Sequence, residues 1–383
     1  MGALLARVSV RGFRTAVDVS FSPGALCALV GEANTGKSNL LLAVRALLDP
    51  GAPPFGADEL APGAKRIEIE GVLTDGRRVS VGEPRTGPLA LFFPSTLRSS
   101  LLVPPRTPGE ELSHPAVEHL DRALGREAAP RLALIRCVET WCELGLQGLV
   151  LLIEEPELYL RPQEQRYFYR LLHQLTSAGN QVVYSTHSPS FLNVSRLEEL
   201  ALVEYDPRTG TRVVQPRPIA WDEDFRILTE FDAERGELFL ARAAILVEGL
   251  TEKFAFPFVF AALGHDADRD AISIVECGGK SNIPLFARIC KAVHVPFVAV
   301  HDRDAPAGAE PIPAEQAVNA LIEKVVGKRR TVVLEPDFEG VAGLRGRSHK
   351  PLRAWKSFGS VTADGVPEPL ARAVRLAVKM ARD

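Results

Sequence analysis

Gly31-Glu32-Ala33-Asn34-Thr35-Gly36-Lys37-Ser38 fits the pattern G-x-x-x-x-G-K-[ST]. It follows the apolar run Leu26–Val30 and precedes a helical pattern from Lys37 to Leu48. Strand, glycine-rich turn and helix in that order predict a phosphate cradle. Small residues let backbone N–H groups curl around phosphates at a helix N-terminus. On this reading Gly31, Asn34 and Gly36 shape the turn, Lys37 reaches the β/γ-phosphates of ATP, Ser38 ligates Mg²⁺, and Asn39 stands in the first turn. The alternative is a chance glycine-rich turn, which the flanking strand and helix disfavour.

Downstream, apolar runs at 149–153 and 181–185 read as further buried strands, with a helix over 162–178 between them. The first ends in Glu154-Glu155-Pro156-Glu157, where Glu154 would complete the metal shell and Glu155 would activate or orient water. The second ends in Ser185-Thr186-His187-Ser188-Pro189. His187 then lies at a carboxyl strand edge, where open α/β sheets bind ligands, and is placed on the γ-phosphate.

These residues resemble the ATPase heads of the ABC class, in the SMC/RecF branch. The opening VSVRGFR (8–14), EEPELYLRP (154–162) and STHSP (185–189) are similar to that pattern. Two features depart from it. Such heads place a Mg²⁺-contacting glutamine between the phosphate loop and the acidic strand. Here there is none from Asn39 to Leu146, and Gln147 stands at the strand's start. Their Ser-Gly-Gly-like signature corresponds to LGREAAP (124–130), which lacks the serine and second glycine and puts Pro130 where the signature helix would run. The resemblance thus implies ATP binding with slow or absent hydrolysis.

A second alternating pattern begins after a connecting region at about 221–240. Strands are expected at 244–247, 271–276, 297–301 and 331–334, with helices at 252–263, 283–293 and 314–326. Apolar strands alternating with helices predict parallel sheets, hence two α/β domains, 1–240 and 241–383. In the second block VEGLTEK puts Glu248 just past a strand and Glu252 in the next helix's first turn, CGGKSN follows the second strand, and the third ends in Asp302-Arg303-Asp304. In a parallel sheet Glu248, Asp302 and Asp304 converge on one edge, and their mutual repulsion calls for a divalent ion. Oxygen donors without His or Cys favour Mg²⁺ or Mn²⁺ over zinc.

This block resembles the Toprim fold of topoisomerases, primases and OLD-family (overcoming lysogenization defect) nucleases, and VEGLTEK is similar to the OLD form. The resemblance implies a Rossmann-like Toprim domain with a parallel sheet, behind an N-terminal ABC-type P-loop ATPase head. It makes Glu252 the extra acid of a nuclease, Glu339 a further metal ligand with Asp337 second, and Lys350 the transition-state lysine with Lys356 second. Together Glu248, Glu252, Asp302, Asp304 and Glu339 would carry two-metal phosphodiester cleavage. From Lys324 to Lys356 nine Lys/Arg face three acids, a local net of +6, which suits a phosphate-bearing substrate.

The whole chain is unremarkable by comparison. Its 383 residues carry 45 basic and 48 acidic side chains, a net of −3, so bulk charge advertises no nucleic acid. Five cysteines without CxxC spacing read as buried thiols of a reducing cytoplasm, and no apolar run suits a membrane span. The expected function is an ATP-binding, metal-dependent DNA endonuclease in phage defence or DNA processing, acting as a homodimer or higher homo-oligomer, with a partner defence protein also in view. An ATP-sensing scaffold and a RecF-like repair ATPase are the alternatives. The last helical pattern, from Glu368, has no assigned role.

Overall fold

The computed structural model describes residues 3–49, 55–82, 87–95, 115–124, 130–218, 233–305, 309–344 and 349–382. The signature stretch 125–129 and most of the 221–240 connection fall outside them. The chain forms two compact units, Met1–Pro218 and Ile219–Asp383.

Unit 1 runs β1 (Leu5–Phe13), β2 (Ala16–Phe21), β3 (Leu26–Val30), α1 (Lys37–Leu48), β4 (Glu68–Leu73), β5 (Arg78–Ser80), β6 (Leu89–Phe93), α2 (Pro115–Leu124), α3 (Pro130–Glu143), β7 (Leu149–Glu154), α4 (Pro162–Ser177), β8 (Gln181–Thr186), β9 (Leu200–Asp206) and β10 (Gly210–Val214). One sheet is antiparallel, in the order β2-β1-β4-β5; the other runs β10-β9-β3-β8-β7-β6 and is parallel except for the β9–β10 pair. Every residue of β3, β7 and β8 is buried, as expected where a parallel sheet is covered on both faces. The phosphate loop, Glu154 and His187 therefore leave neighbouring strands at the same edge. Pro130 opens α3 rather than interrupting a helix, because the first helical turn has no use for its missing N–H.

A buried glutamine joins the two sheets. Gln181 Nε2 donates to the carbonyls of Leu5 (2.9 Å), Pro23 (3.0 Å) and Gly24 (2.9 Å), and its Oε1 accepts from Leu5 N at 3.0 Å. Leaving those groups unpaired in the interior would cost about 1–3 kcal/mol each.

Unit 2 runs β11 (Ala243–Val247), α5 (Leu250–Ala262), β12 (Ile272–Glu276), α6 (Ile283–Ala292), β13 (Phe297–Asp302), α7 (Pro313–Val326), β14 (Thr331–Leu334), α8 (Phe338–Val341), α9 (Lys350–Phe358) and α10 (Glu368–Arg382). Its sheet, β12-β11-β13-β14, is parallel throughout. Alternate strand residues Ala243, Ile245 and Val247 share a core cluster with Phe256 and Phe260 of α5 and with Leu370, Val374 and Ala377 of α10. The last helix thus closes one face of this sheet. Four cysteines are buried, Cys142 is half-buried, and all five are free.

Glu199 ties α4 to the segment before β9. Its carboxylate accepts from Tyr169 Oη at 3.1 Å and Arg196 Nη1 at 3.3 Å, and His173 Nε2 lies 3.5 Å away. Burial pushes the Glu199 carboxyl up to about 7. The folded state therefore holds this proton more tightly than the unfolded chain does. That stability is complete below the ordinary carboxylate value and is lost as pH rises through about 7. Glu199→Gln removes the loss. Thermal melts at pH 5 and pH 8 should show the variant gaining roughly 2 kcal/mol over wild type at the higher pH only. Equal differences at both pH values would contradict the buried carboxyl.

Candidate functional site

In unit 1 the loop after β3 is tightly enclosed. Gly36 caps α1 with φ 107°, and a Cβ there would fall 2.3 Å from Thr211 Oγ1, which itself donates to the Thr35 carbonyl at 2.8 Å. Gly31 is barred from carrying a side chain by the Val203 carbonyl, 2.1 Å from where a Cβ would sit. Asn34 has φ 63°, a left-handed conformation that asparagine tolerates. Lys37 is buried and its Nζ donates to the carbonyls of Gly31 (2.9 Å) and Glu32 (2.6 Å). Burial lowers its pKa to about 8, against the attraction of Glu155, Glu157 and Glu32. Ser38 is exposed in the first turn of α1. Asn39 instead braces the loop from behind, donating to Thr15 Oγ1 and accepting from Arg14.

Glu154 ends β7, buried, with Oε2 accepting from Ser95 N at 3.0 Å and Ser95 Oγ at 3.4 Å. Ser95 follows β6, the strand beside β7. It meets the acid at the end of β7 from the neighbouring strand, and nothing in the sequence around it marks it. Glu155 adopts φ 47° and is held through its N–H by the Ser185 carbonyl at 3.0 Å. Glu157, to which the sequence reading gave no role, accepts from His187 N at 2.6 Å, and burial raises its pKa. Desolvation, then the nearby Lys37 charge, holds the His187 imidazole below its usual value. Arg131, buried on α3, donates to the carbonyls of Glu154 (2.5 Å) and Pro94 (3.2 Å), fixing the ends of β7 and β6 together.

Unit 2 gathers its acids at the carboxyl ends of β11 and β13. Glu248 Oε1 accepts from Asp302 N at 2.6 Å, Glu252 Oε2 from Gly249 N at 3.2 Å, and Asp302 Oδ1 from Phe338 N at 2.8 Å. Burial pushes Glu248 and Glu252 up to about 7 and Asp302 to about 8, with repulsion among the acids adding to it. Asp304, at φ 58°, and Glu339 differ in carrying lysines. Lys280 Nζ donates to Asp304 Oδ2 at 2.7 Å and to Glu315 Oε2 at 2.9 Å, while Lys350 Nζ lies 2.7 Å from Glu339 Oε1. Lys280 belongs to the CGGKSN segment, which sequence reading noted without giving the lysine a role. Asp337 is taken up as the N-cap of α8, its Oδ1 accepting from Gly340 N at 2.7 Å. Lys356 is exposed six residues beyond Lys350.

No three His, Cys, Asp or Glu among the described residues form a group ready to enclose an ion. The chemistry of the donors nevertheless fits one. Glu252 is buried and Glu248 and Asp302 are half-buried, and among the described residues each accepts from a backbone N–H, so they are hard oxygen ligands short of positive charge.

Comparison with known proteins agrees with this geometry. Residues 239–304 match the model described as overcoming lysogenization defect protein-like, TOPRIM domain, and residues 131–192 match the AAA ATPase domain. The chain is similar to an OLD nuclease of Thermus scotoductus, 34% identical over 293 residues, which cover 70% of this chain and 53% of that one. It is also similar to the Old nuclease of Escherichia phage P2, 26% identical over 162 residues, 40% of this chain and 28% of that one. Among solved structures, the C-terminal region of the Burkholderia pseudomallei OLD protein aligns with 37% of this chain and 98% of its own, at 18% identity and a TM-score of 0.31. The chain therefore spans about half the length of the Thermus relative, and less of the phage protein. Its class is a P-loop ATPase head joined to a Toprim domain. Within that class it is similar to the OLD nucleases, with residues 239–304 matching an OLD-like Toprim domain.

Lys37→Ala should weaken ATP binding at least about 100-fold, measured by titration with a fluorescent ATP analogue. The melting temperature without nucleotide should stay within a few degrees of wild type. Undiminished binding would place the nucleotide elsewhere.

Proposed function

We propose that the chain is an ATP-binding DNA endonuclease that uses Mg²⁺ or Mn²⁺ at Glu248, Glu252, Asp302, Asp304 and Glu339. The observation that carries this reading is the gathering of three acids at one edge of a parallel sheet, Glu252 buried and Glu248 and Asp302 half-buried, with desolvation and mutual repulsion raising all three. The divalent ion would supply an activated water and charge neutralisation at the scissile phosphodiester. Glu248 and Asp302 would hold it from adjacent strands, with their backbone bonds fixing the approach. Lys350, at the N-terminus of α9, would stabilise the developing negative charge once it leaves Glu339.

In unit 1, Lys37, Ser38 and the loop amides from 31 to 37 would bind ATP, with Glu154 and Ser95 on the metal side and Glu155 at the attacking water. With no glutamine between the phosphate loop and the acidic strand, nucleotide turnover would be slow and ATP would act chiefly as a state signal. Antiviral defence, pairing of heads between two copies, a partner defence protein and a cytoplasmic setting belong to the same proposal. The similarity to the phage P2 nuclease and the match to an ATPase domain suit this reading, and no helix among the described residues is long and apolar enough to cross a membrane.

The test is nicking of supercoiled plasmid. Wild type should cut with Mg²⁺ or Mn²⁺ and stop in EDTA, and Glu248→Gln or Asp302→Asn should lose at least about 100-fold in rate. Cutting that survives EDTA, or survives in Asp302→Asn, would remove the acids from the chemistry.

A further inference from the structure

Helices α5 and α9 present an apolar face that the fold leaves open beside the acids. Leu250, Phe254 and Phe258 recur every fourth residue and so share one side of α5. Leu352 and Trp355 are three apart on α9, and the Trp355 ring meets Phe258 edge-on at 6.4 Å between centroids, so the two faces adjoin. Leu250, Phe254, Leu352 and Trp355 are 51%, 48%, 50% and 52% exposed. Large side chains half in solvent at four neighbouring positions mark a surface that binds something.

Its charge says what. Helix α9 carries Lys350, Arg353 and Lys356 and no acid. Its first residue is bonded to Glu339 of the acidic centre, and Leu250 lies two residues before Glu252. Cations interleaved with aromatic faces fit a polyanion with flat apolar groups. A duplex offers phosphates but hides its base faces in the stack, so half of this surface would go unused. Unpaired bases use both halves. Trp355 lies five residues beyond Lys350, about 7.5 Å along the helix axis. A phosphate at the acids would thus leave a neighbouring base over the indole.

We propose that the α5–α9 face is a stacking platform for unpaired bases, so that the strand presented to the acids is single-stranded DNA. This rests on the nuclease reading for its placement but is tested without cleavage. The full-length protein in EDTA would be titrated with fluorescein-labelled oligothymidine and with a duplex of equal length. Oligothymidine should bind more tightly, Trp355→Ala and Phe254→Ala should each weaken it about tenfold or more, and Trp355→Phe should stay within about threefold of wild type. Duplex binding should not change in any variant. Unchanged oligothymidine binding in both alanine variants overturns the platform, as does an equal loss for duplex and single strand. If Trp355→Ala instead dissociates an oligomer in sedimentation while oligothymidine binding holds, the face is an interface between copies and the proposal fails. The two readings fail separately. Oligothymidine binding that ignores Trp355 and Phe254, in a protein that cuts DNA, sinks the platform alone. Trp355-dependent binding in a protein that never cuts DNA sinks the nuclease alone.

Discussion

The hydrogen bond from Asp302 N to Glu248 Oε1 is the constraint on which the second unit turns. It exists only because β11 and β13 are parallel neighbours, paired from Ala244 with Phe297 to Leu246 with Ala299. That register brings the residue after β11 to the last residue of β13. Bringing two acids so close while half removed from water is unfavourable, and their raised pKa values express the cost. The core below absorbs it: β11 is buried throughout, and α5 and α10 seal one face of the sheet. The acids are therefore held by a scaffold whose stability does not depend on them.

Unit 1 follows the same physical rule with different polarity. Parallel strands β3, β8 and β7 end at one edge, so phosphate loop, His187 and Glu154 meet without any segment reaching across the fold. Burial there lowers Lys37 and raises Glu157, and each is steadied by backbone partners. Loop positions lacking a Cβ are set by contacts with β9 and β10, far along the chain. Thr211 at Gly36 and Val203 at Gly31 make both glycines steric necessities rather than flexible points.

Much of this was legible in the residues themselves. Fully apolar runs between helical patterns fixed the parallel strands, since a strand covered on both faces cannot alternate. The acids at strand ends followed directly, because strand order did not need to be known for them to share an edge. Ser95, Lys280 and Arg131 were not legible. Each acts on a residue 23 to 59 positions away, through pairings that only strand adjacency creates. A serine after an apolar strand carries no signal until β6 is seen beside β7. Asn39, read as standing in the first turn of the helix after the phosphate loop, turns its amide to Thr15 and Arg14, partners the local sequence does not name.

The two kinds of partner in the acidic centre divide its work. Glu248, Glu252 and Asp302 accept from backbone N–H groups, dipoles that orient a carboxylate without neutralising it. Asp304 and Glu339 are neutralised by Lys280 and Lys350. A divalent ion on the proposed reading would meet uncompensated charge first at the central trio. Asp304 and Glu339 would join the ligand set only by giving up their ammonium partners. The two lysines are not equivalent in this. Lys280 is 8% exposed in its side chain and also bound to Glu315, so it stays when Asp304 shifts. Lys350 is 46% exposed at the start of α9, and leaving Glu339 frees it toward an incoming phosphate. The arrival of the ion and the release of a lysine for the substrate would then be one electrostatic event. That ties the basic helix to the acidic edge without any movement of the sheet.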